Sequence, residues 1–287
     1  MKTPAPSRKP RDDEIDAHGL THIGKVRPDN QDHFLLATIH KRVLVLATNL
    51  DAQQRLPLGE QRLAFLMMVA DGVGGGTGGA EASATALETA MQYVNDSMAC
   101  YYGGNVDESE FTESLQAAAI RSHEAIVARR AAAEVRGTMA TTLTLFMGVW
   151  PVGYLLQVGD SRYYLWRAGT LTQVSRDQTV AQDLVDDGVM TRAVAARTQF
   201  ANVLSSALGA DSALPVVTRM QSDWHNVHLL CSDGLTKHVN DERIAERLAT
   251  MTSAKNVCEQ LLQDALDAGG ADNITIIVGR TLPKEPA

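Results

Sequence analysis

The chain is poor in cysteine, in basic charge and in unbroken apolar sequence. Its 287 residues include three cysteines, Cys100, Cys231 and Cys258, widely spaced and with no CxxC pair. That argues against a disulfide framework or a structural zinc site and leads us to expect a reducing, cytoplasmic setting. Basic side chains are outnumbered 26 to 34 by acidic ones, for a formal net charge of -8. A surface of that sign suits neither a nucleic-acid backbone nor an anionic membrane, so neither is expected as a partner. The most apolar stretch, Leu143 to Val158, is broken by Trp150-Pro151-Val152-Gly153. We read it as two buried strands joined by a turn, with no membrane insertion. The eight histidines form no HExxH pair. Residues 1–16 are polar, with Pro4, Pro6 and Pro10, and are expected to be a flexible tail. No repeat or linker divides residues 17–281, expected to be one domain, and 282–287 are expected to be a C-terminal tail.

What is present is an ordinary globular composition, 45% hydrophobic, sufficient for a sizeable core. Short apolar runs predict strands at His33 to Ile39, Arg42 to Ala47 and Leu63 to Val69, with Leu50 to Gln61 a loop. Apolar spacing near three and four predicts helices over Ala80 to Asn95 and Glu110 to Glu134. Strands return at Thr141 to Trp150, Gly153 to Val158, Arg162 to Arg167 and Thr170 to Val174. One or two short helices are expected in 176–198, then strands at Pro215 to Met220 and Val227 to Cys231. Amphipathic helices at Asp241 to Leu248 and Ala254 to Ala268 precede a last strand, Asn273 to Val278. The order lacks regular strand–helix alternation, which favours an α+β fold with helices covering antiparallel sheets.

Three strands end alike. Apolar runs lead into Val69-Ala70-Asp71-Gly72, Val158-Gly159-Asp160-Ser161 and Cys231-Ser232-Asp233-Gly234. Asp272 and Asp32 stand just before two further strands. Aspartate is a poor strand residue, and one at a strand end is routine. Four or five at the mouths of core strands suggest carboxylates converging at one edge of the fold. Their mutual repulsion calls for bound cations, and an oxygen-only set suits Mg²⁺ or Mn²⁺. Gly72 would let a backbone carbonyl approach such an ion. Arg27, five residues before Asp32, offers a fork that matches phosphate. Two metals sharing a carboxylate could activate a water for attack on phosphorus.

At these residues the sequence resembles the metal-dependent protein phosphatases of type 2C, the PPM family, in its bacterial form. The matching pieces run in order from Gly24-Lys25-Val26-Arg27-Pro28-Asp29-Asn30-Gln31-Asp32 through Asp71-Gly72-Val73-Gly74-Gly75, Gly137 to Leu143, Gly159-Asp160-Ser161-Arg162 and Ser232-Asp233-Gly234-Leu235 to Asp272-Asn273. The resemblance implies a four-layer α-β-β-α sandwich and hydrolysis of phosphoserine and phosphothreonine in proteins, with two or three Mn²⁺ or Mg²⁺ ions. It implies that Asp71 bridges two metals, with the Gly72 carbonyl on one and Asp233 and Asp272 on the other. Asp160 would hold a third. Asp32 would reach the metals through water, Arg27 would bind phosphate, and Asn273 would support Asp272. Phosphorylated proteins and a cognate serine/threonine kinase are the implied partners, in signalling, with a specificity flap near 178–202. A phosphoprotein-binding regulatory module of the same fold, catalytically weak, is the alternative.

The sequence departs from the family where Val73 follows the Asp-Gly pair with no histidine close by, where Asp177-Gln178-Thr179 replaces Asp-His-Ser, and where Ala140 replaces a glycine. Two other chemistries fit less well. Gly74, Gly76 and Gly79 spell GxGxxG, but no strand with an acidic end follows about 20 residues on. A cysteine-based phosphatase loop starting at Cys231 would need arginine where Lys237 stands.

Overall fold

The computed structural model describes residues 8–43, 59–74, 77–101, 108–133, 137–195 and 197–284. A 3-10 turn at Asp12–Glu14 leads into β1 (Ile15–His22), β2 (Asp32–Val43) and β3 (Gly59–Val73), followed by helices α1 (Gly78–Tyr101) and α2 (Glu108–Ala132). Next come β4 (Ala140–Thr141), β5 (Leu143–Val149), β6 (Val152–Val158), β7 (Arg162–Arg167) and β8 (Thr170–Gln173). Short helices α3 (Val180–Asp186) and α4 (Arg192–Ala195) precede β9 (Val216–Gln221) and β10 (Val227–Cys231). The chain closes with α5 (Asp233–Thr236), α6 (Asp241–Ala249), α7 (Ala254–Asp267) and β11 (Ile274–Thr281).

The strands form a five-stranded sheet, β1-β11-β10-β7-β8, and a six-stranded sheet, β2-β3-β5-β6-β9, with β4 pairing the end of β3. Among the described residues every pairing is antiparallel. That removes the dinucleotide reading of the glycine run, which requires a parallel sheet. The central strands read as continuous apolar runs because both faces are covered. In β3, Leu66, Met68 and Ala70 meet the α1–α2 layer, while Met67 and Val69 meet the other sheet. In β11, Ile274, Ile276 and Val278 meet α6 and α7, while Ile277 faces the inter-sheet seam. Helix, sheet, sheet and helix are thus stacked over three apolar seams, the expected four-layer sandwich.

Local sequence explains the helix limits. Ala82, Ala86 and Ala90 are fully buried at four-residue spacing, and their small side chains let α1 lie close on β3. Asn240 and Ser253 cap α6 and α7 by accepting from the N–H groups of Arg243 and Asn256. Beyond α7, Gly269 and Gly270 have φ of 125° and 54°, and the Gly270 N–H closes onto the Ala265 carbonyl.

Several expectations need correction. Residues 8–16 are not a loose tail. The Glu14 carboxylate is buried, accepts two hydrogen bonds from Arg8 at 2.6 Å and one from the Arg11 N–H at 2.7 Å. It also accepts from the Lys284 N–H at 3.0 Å, so residues 282–284 are packed as well. Residues 1–7 and 285–287 lie outside the described residues. Strand β1 has no counterpart among the predicted strands. It is a sheet edge paired to β11 alone, and its sequence, IDAHGLTH, needs few apolar residues there. Gly59 to Gln61, expected in a loop, pair with Val43 to Lys41, so β2 and β3 extend further than their apolar centres. Residues 44–47 of the predicted Arg42 to Ala47 strand lie outside the described residues.

Candidate metal centre

Strand parity builds this site. On the inter-sheet face, Phe34 and Leu36 of β2, Val69 of β3, Leu230 of β10 and Ile277 of β11 line the apolar seam. Two residues further toward one end, the same faces present Asp32, Asp71, Ser232 and Thr275. The seam therefore changes from hydrocarbon to oxygen at one edge of the sandwich. Asp32 and Asp71 are direct cross-strand partners.

Asp71 is held by its backbone. Its N–H donates to Thr142 Oγ1 at 3.0 Å, and its carbonyl accepts from the Thr142 N–H and the Thr141 hydroxyl, both at 2.9 Å. Thr142 is tied in turn to Ser161 at 2.8 Å, beside Asp160. Gly72 packs so closely on the start of α1 that a Cβ would collide with the Gly79 carbonyl. Gly234, after Asp233, has the same role: a Cβ there would strike the Asn273 carbonyl. Asp32 lies behind, 3% exposed, its Oδ2 accepting from Ser232 at 2.7 Å and Thr275 at 2.8 Å.

Asn273 joins the loop before β2 to the start of β11. Its Oδ1 accepts from the Gln31 N–H at 2.8 Å, and its Nδ2 donates to the carbonyls of Ile23 and Asp29 at 2.9 Å. The Asn273 N–H donates to Asp272 Oδ1 at 3.0 Å. Arg27 grips Asp272 with its fork, Nε to Oδ1 at 2.7 Å and Nη2 to Oδ2 at 2.9 Å. Lys237, read in the sequence merely as a mismatch to arginine, also reaches this carboxylate, at 2.9 Å.

Asp71, Asp160, Asp233 and Asp272, with Arg27, Gly72 and Lys237, line one cavity of about 910 Å³. The electrostatics follow from this crowding. Burial, with neighbouring carboxylates adding to it, pushes Asp32 up to about 6 despite its two hydroxyl donors. Burial and the nearby charges of Asp233 and Asp177 raise Asp160 to about 7. Asp71 is raised well above the usual range for the same reasons. Asp272 goes the other way: burial opposes its charge, but Arg27 and Lys237 outweigh it and lower its pKa.

The donor chemistry fits divalent cations. Asp32 Oδ1 and Asp233 Oδ1 are buried, two carboxylate oxygens with no hydrogen-bond partner among the described residues. Every candidate ligand is oxygen, as Mg²⁺ and Mn²⁺ require. Among the described residues, no group of three or more His, Cys, Asp or Glu side chains is already gathered closely enough to hold an ion. Arg27 and Lys237 supply positive charge instead.

A second cavity of about 720 Å³ shares Asp160, Asn202, Asp233 and Lys237 with the first and runs under the segment that carries α3 and α4. Arg162 stands on its wall, bound to Asp177 at 2.6 Å and to the Tyr164 hydroxyl at 2.9 Å, an orienting contact rather than a free cation. Ser232, Thr142 and Ser161 lie within the matching motifs but were given no role there, and Thr275 was not singled out. The signal for their role is a hydroxyl residue at the parity of the inter-sheet face.

Residues 49–268 match the family described as Protein phosphatase 2C. The chain is 34% identical over 220 residues to the serine/threonine protein phosphatase PstP of Mycobacterium tuberculosis, covering 75% of this chain and 40% of that protein. The chain thus spans less than half the length of that relative. It is 27% identical over 214 residues to the serine/threonine phosphatase stp of Listeria monocytogenes, covering 74% of this chain and 83% of that one. The crystal structure of the PstP catalytic domain in complex with 2 manganese ions aligns with a TM-score of 0.72 at 28% identity, over 94% of this chain and 99% of that one. By family match and by fold, this chain belongs to the protein phosphatase 2C family.

Proposed function

We propose that the chain is a metal-dependent serine/threonine phosphoprotein phosphatase. The observation that carries this reading is the meeting of Asp71, Asp160, Asp233 and Asp272 with Arg27 around one open cavity. Asp71, the Gly72 carbonyl, Asp233 and Asp272 would hold two Mn²⁺ or Mg²⁺ ions, and Asp160 a third. Bound there, the cations supply Lewis-acid activation of water and neutralise the phosphoryl oxygens.

The remaining work falls to the protein. Asp32, anchored by Ser232 and Thr275, keeps a charge behind the cluster and orients what binds there. Arg27 is half-exposed at the cavity, and its planar fork, engaged with Asp272, is the shape that a phosphate accepts. Asn273 fixes Asp272 and the Arg27 loop together. Residues 178–202, beside the second cavity, form the flap through which we expect phosphoprotein substrates to be distinguished. A serine/threonine kinase acting on the same substrates is the natural counterpart. The compartment we propose is the cytoplasm, in keeping with the free, buried thiols of Cys231 and Cys258.

The test is hydrolysis of p-nitrophenyl phosphate and of phosphoserine or phosphothreonine peptides with Mn²⁺, with and without EDTA. Turnover with Mn²⁺ that EDTA abolishes is expected. Binding of phosphopeptide without hydrolysis, or hydrolysis indifferent to EDTA, would refute the proposal.

A further inference from the structure

Lys237 follows Asp233 by four residues and caps the C-terminus of α5. One helical turn brings its ammonium back over the carboxylate that begins the helix, 2.5 Å from Asp233 Oδ2. The same nitrogen is 2.9 Å from Asp272 Oδ2, on a different element of the fold. Lys237 therefore joins two of the carboxylates that would hold metal. The side chain is 31% exposed, and burial works against its charge, but Asp233 and Asp272 outweigh that and keep it protonated.

An ammonium can donate to both carboxylates, but with one positive charge where a divalent ion carries two. It places one positive charge on the oxygens that a divalent cation would need. Arg27 and Lys237 set two positive charges against Asp32, Asp71, Asp160, Asp233 and Asp272. The lysine also lines the second cavity, where Asp160 and Asp241 offer other acidic neighbours.

We propose that Lys237 is a built-in cation that competes with divalent metal for Asp233 and Asp272, lowering metal affinity while holding the metal-free cluster together. The proposal rests on the metal-centre reading above. Metal occupancy, and with it activity, then requires a higher free concentration of Mn²⁺ or Mg²⁺ than in a site without the lysine.

Calorimetric titration of the EDTA-stripped full chain with Mn²⁺, with no phosphorylated substrate present, tests it. K237M should bind Mn²⁺ more tightly by about tenfold or more, because a unit charge a few ångströms away in a partly buried site acts by at least one decade. K237R, which keeps the charge, should stay close to wild type. Metal-free K237M should melt below metal-free wild type and gain more on Mn²⁺ saturation, whereas a side chain that merely packs would lower both melting points alike. Should K237M fail to fold, K237Q carries the same expectations. If wild type binds Mn²⁺ and the neutral variant binds no more tightly, Lys237 does not compete and the proposal is wrong. If wild type binds no Mn²⁺ at all, the metal-centre reading itself fails and this inference falls with it.

Discussion

The Ser232 hydroxyl donates to Asp32 Oδ2 at 2.7 Å across 200 residues of chain. Thr275, on the neighbouring strand β11, donates to the same oxygen at 2.8 Å. The other oxygen, Oδ1, is buried and unpartnered. One side of the carboxylate is therefore fixed and the other is aimed into the cluster. Outer partners of this kind typically govern metal affinity by about 10- to 100-fold. S232A should weaken Mn²⁺ binding by about tenfold, and S232A with Thr275→Val by more, with the fold retained by circular dichroism. Unchanged Mn²⁺ affinity in the double variant would show that Asp32 acts independently of its hydroxyl donors.

Direct donors should matter more than these supports. Asp71→Ala and Asp233→Ala are each expected to cut Mn²⁺-dependent turnover by more than about 100-fold, beyond the usual cost of an outer partner. The Asp71 charge is buried among other carboxylates, so metal-free Asp71→Ala should melt near wild type or above it, whereas metal-free Asp233→Ala also loses the contact with Lys237 and should melt below Asp71→Ala. Activity within tenfold of wild type in either variant would remove that aspartate from the proposed ligand set.

Arg27 and its target separate binding from chemistry. Arg27→Ala should raise KM for p-nitrophenyl phosphate by about 10- to 100-fold, the loss of one charged hydrogen-bond pair of about 1.5–3 kcal/mol. Arg27→Lys should recover part of this, since a point charge replaces a fork. A fall in kcat with KM unchanged would mean that Arg27 does not hold the phosphoryl group in the ground state.

Much of this centre was legible in the chain because aspartate is conspicuous after an apolar strand. Asp71, Asp160 and Asp233 each end such a run, and Asp272 and Asp32 each precede one. Edge strand β1 was not legible, because pairing on one side with β11 asks little of its sequence. Nor were the roles of Ser232, Thr275 and Thr142. Small hydroxyl residues are common, and their role depends on parity across strands brought together from distant parts of the chain. Lys237 was read only as a mismatch to arginine, because its significance is the 2.9 Å contact with Asp272, 35 residues away. The clasp of Arg8 on buried Glu14 looked like tail because its charges pair with one another, and composition reports charge but not pairing.

The raised carboxyls make the metal-free protein sensitive to pH in a predictable direction. Asp160, raised to about 7 by burial and by Asp233, is protonated in the fold over a range in which the unfolded chain has already released that proton. The folded state therefore binds more protons than the unfolded one, and stability falls as pH rises from about 4 to about 7. Asp160→Asn lacks this dependence. In EDTA, the advantage of D160N over wild type should widen between pH 5 and pH 7, by up to ~1.4 kcal/mol per pH unit, and level off above. Urea melts at several pH values measure it. A constant difference would mean that Asp160 ionises normally.

Asn273 offers the clearest test of how the two halves of the site are kept in register. Its side chain is 7% exposed and serves three backbone groups: the Gln31 N–H and the carbonyls of Ile23 and Asp29. All three flank the loop that carries Arg27, while the Asn273 N–H orients Asp272. Truncation leaves buried amide groups without partners, at a cost of about 2–3 kcal/mol. Asn273→Ala should therefore lower stability by that amount and raise KM, as the Arg27 loop loosens. Asn273→Asp is the sharper variant. It is nearly isosteric, yet it turns a two-carbonyl donor into an acceptor beside those carbonyls and adds a negative charge near Asp272. It should be less stable than Asn273→Ala in urea, despite removing fewer atoms. If the aspartate variant proves the more stable of the two, packing rather than hydrogen bonding holds this junction.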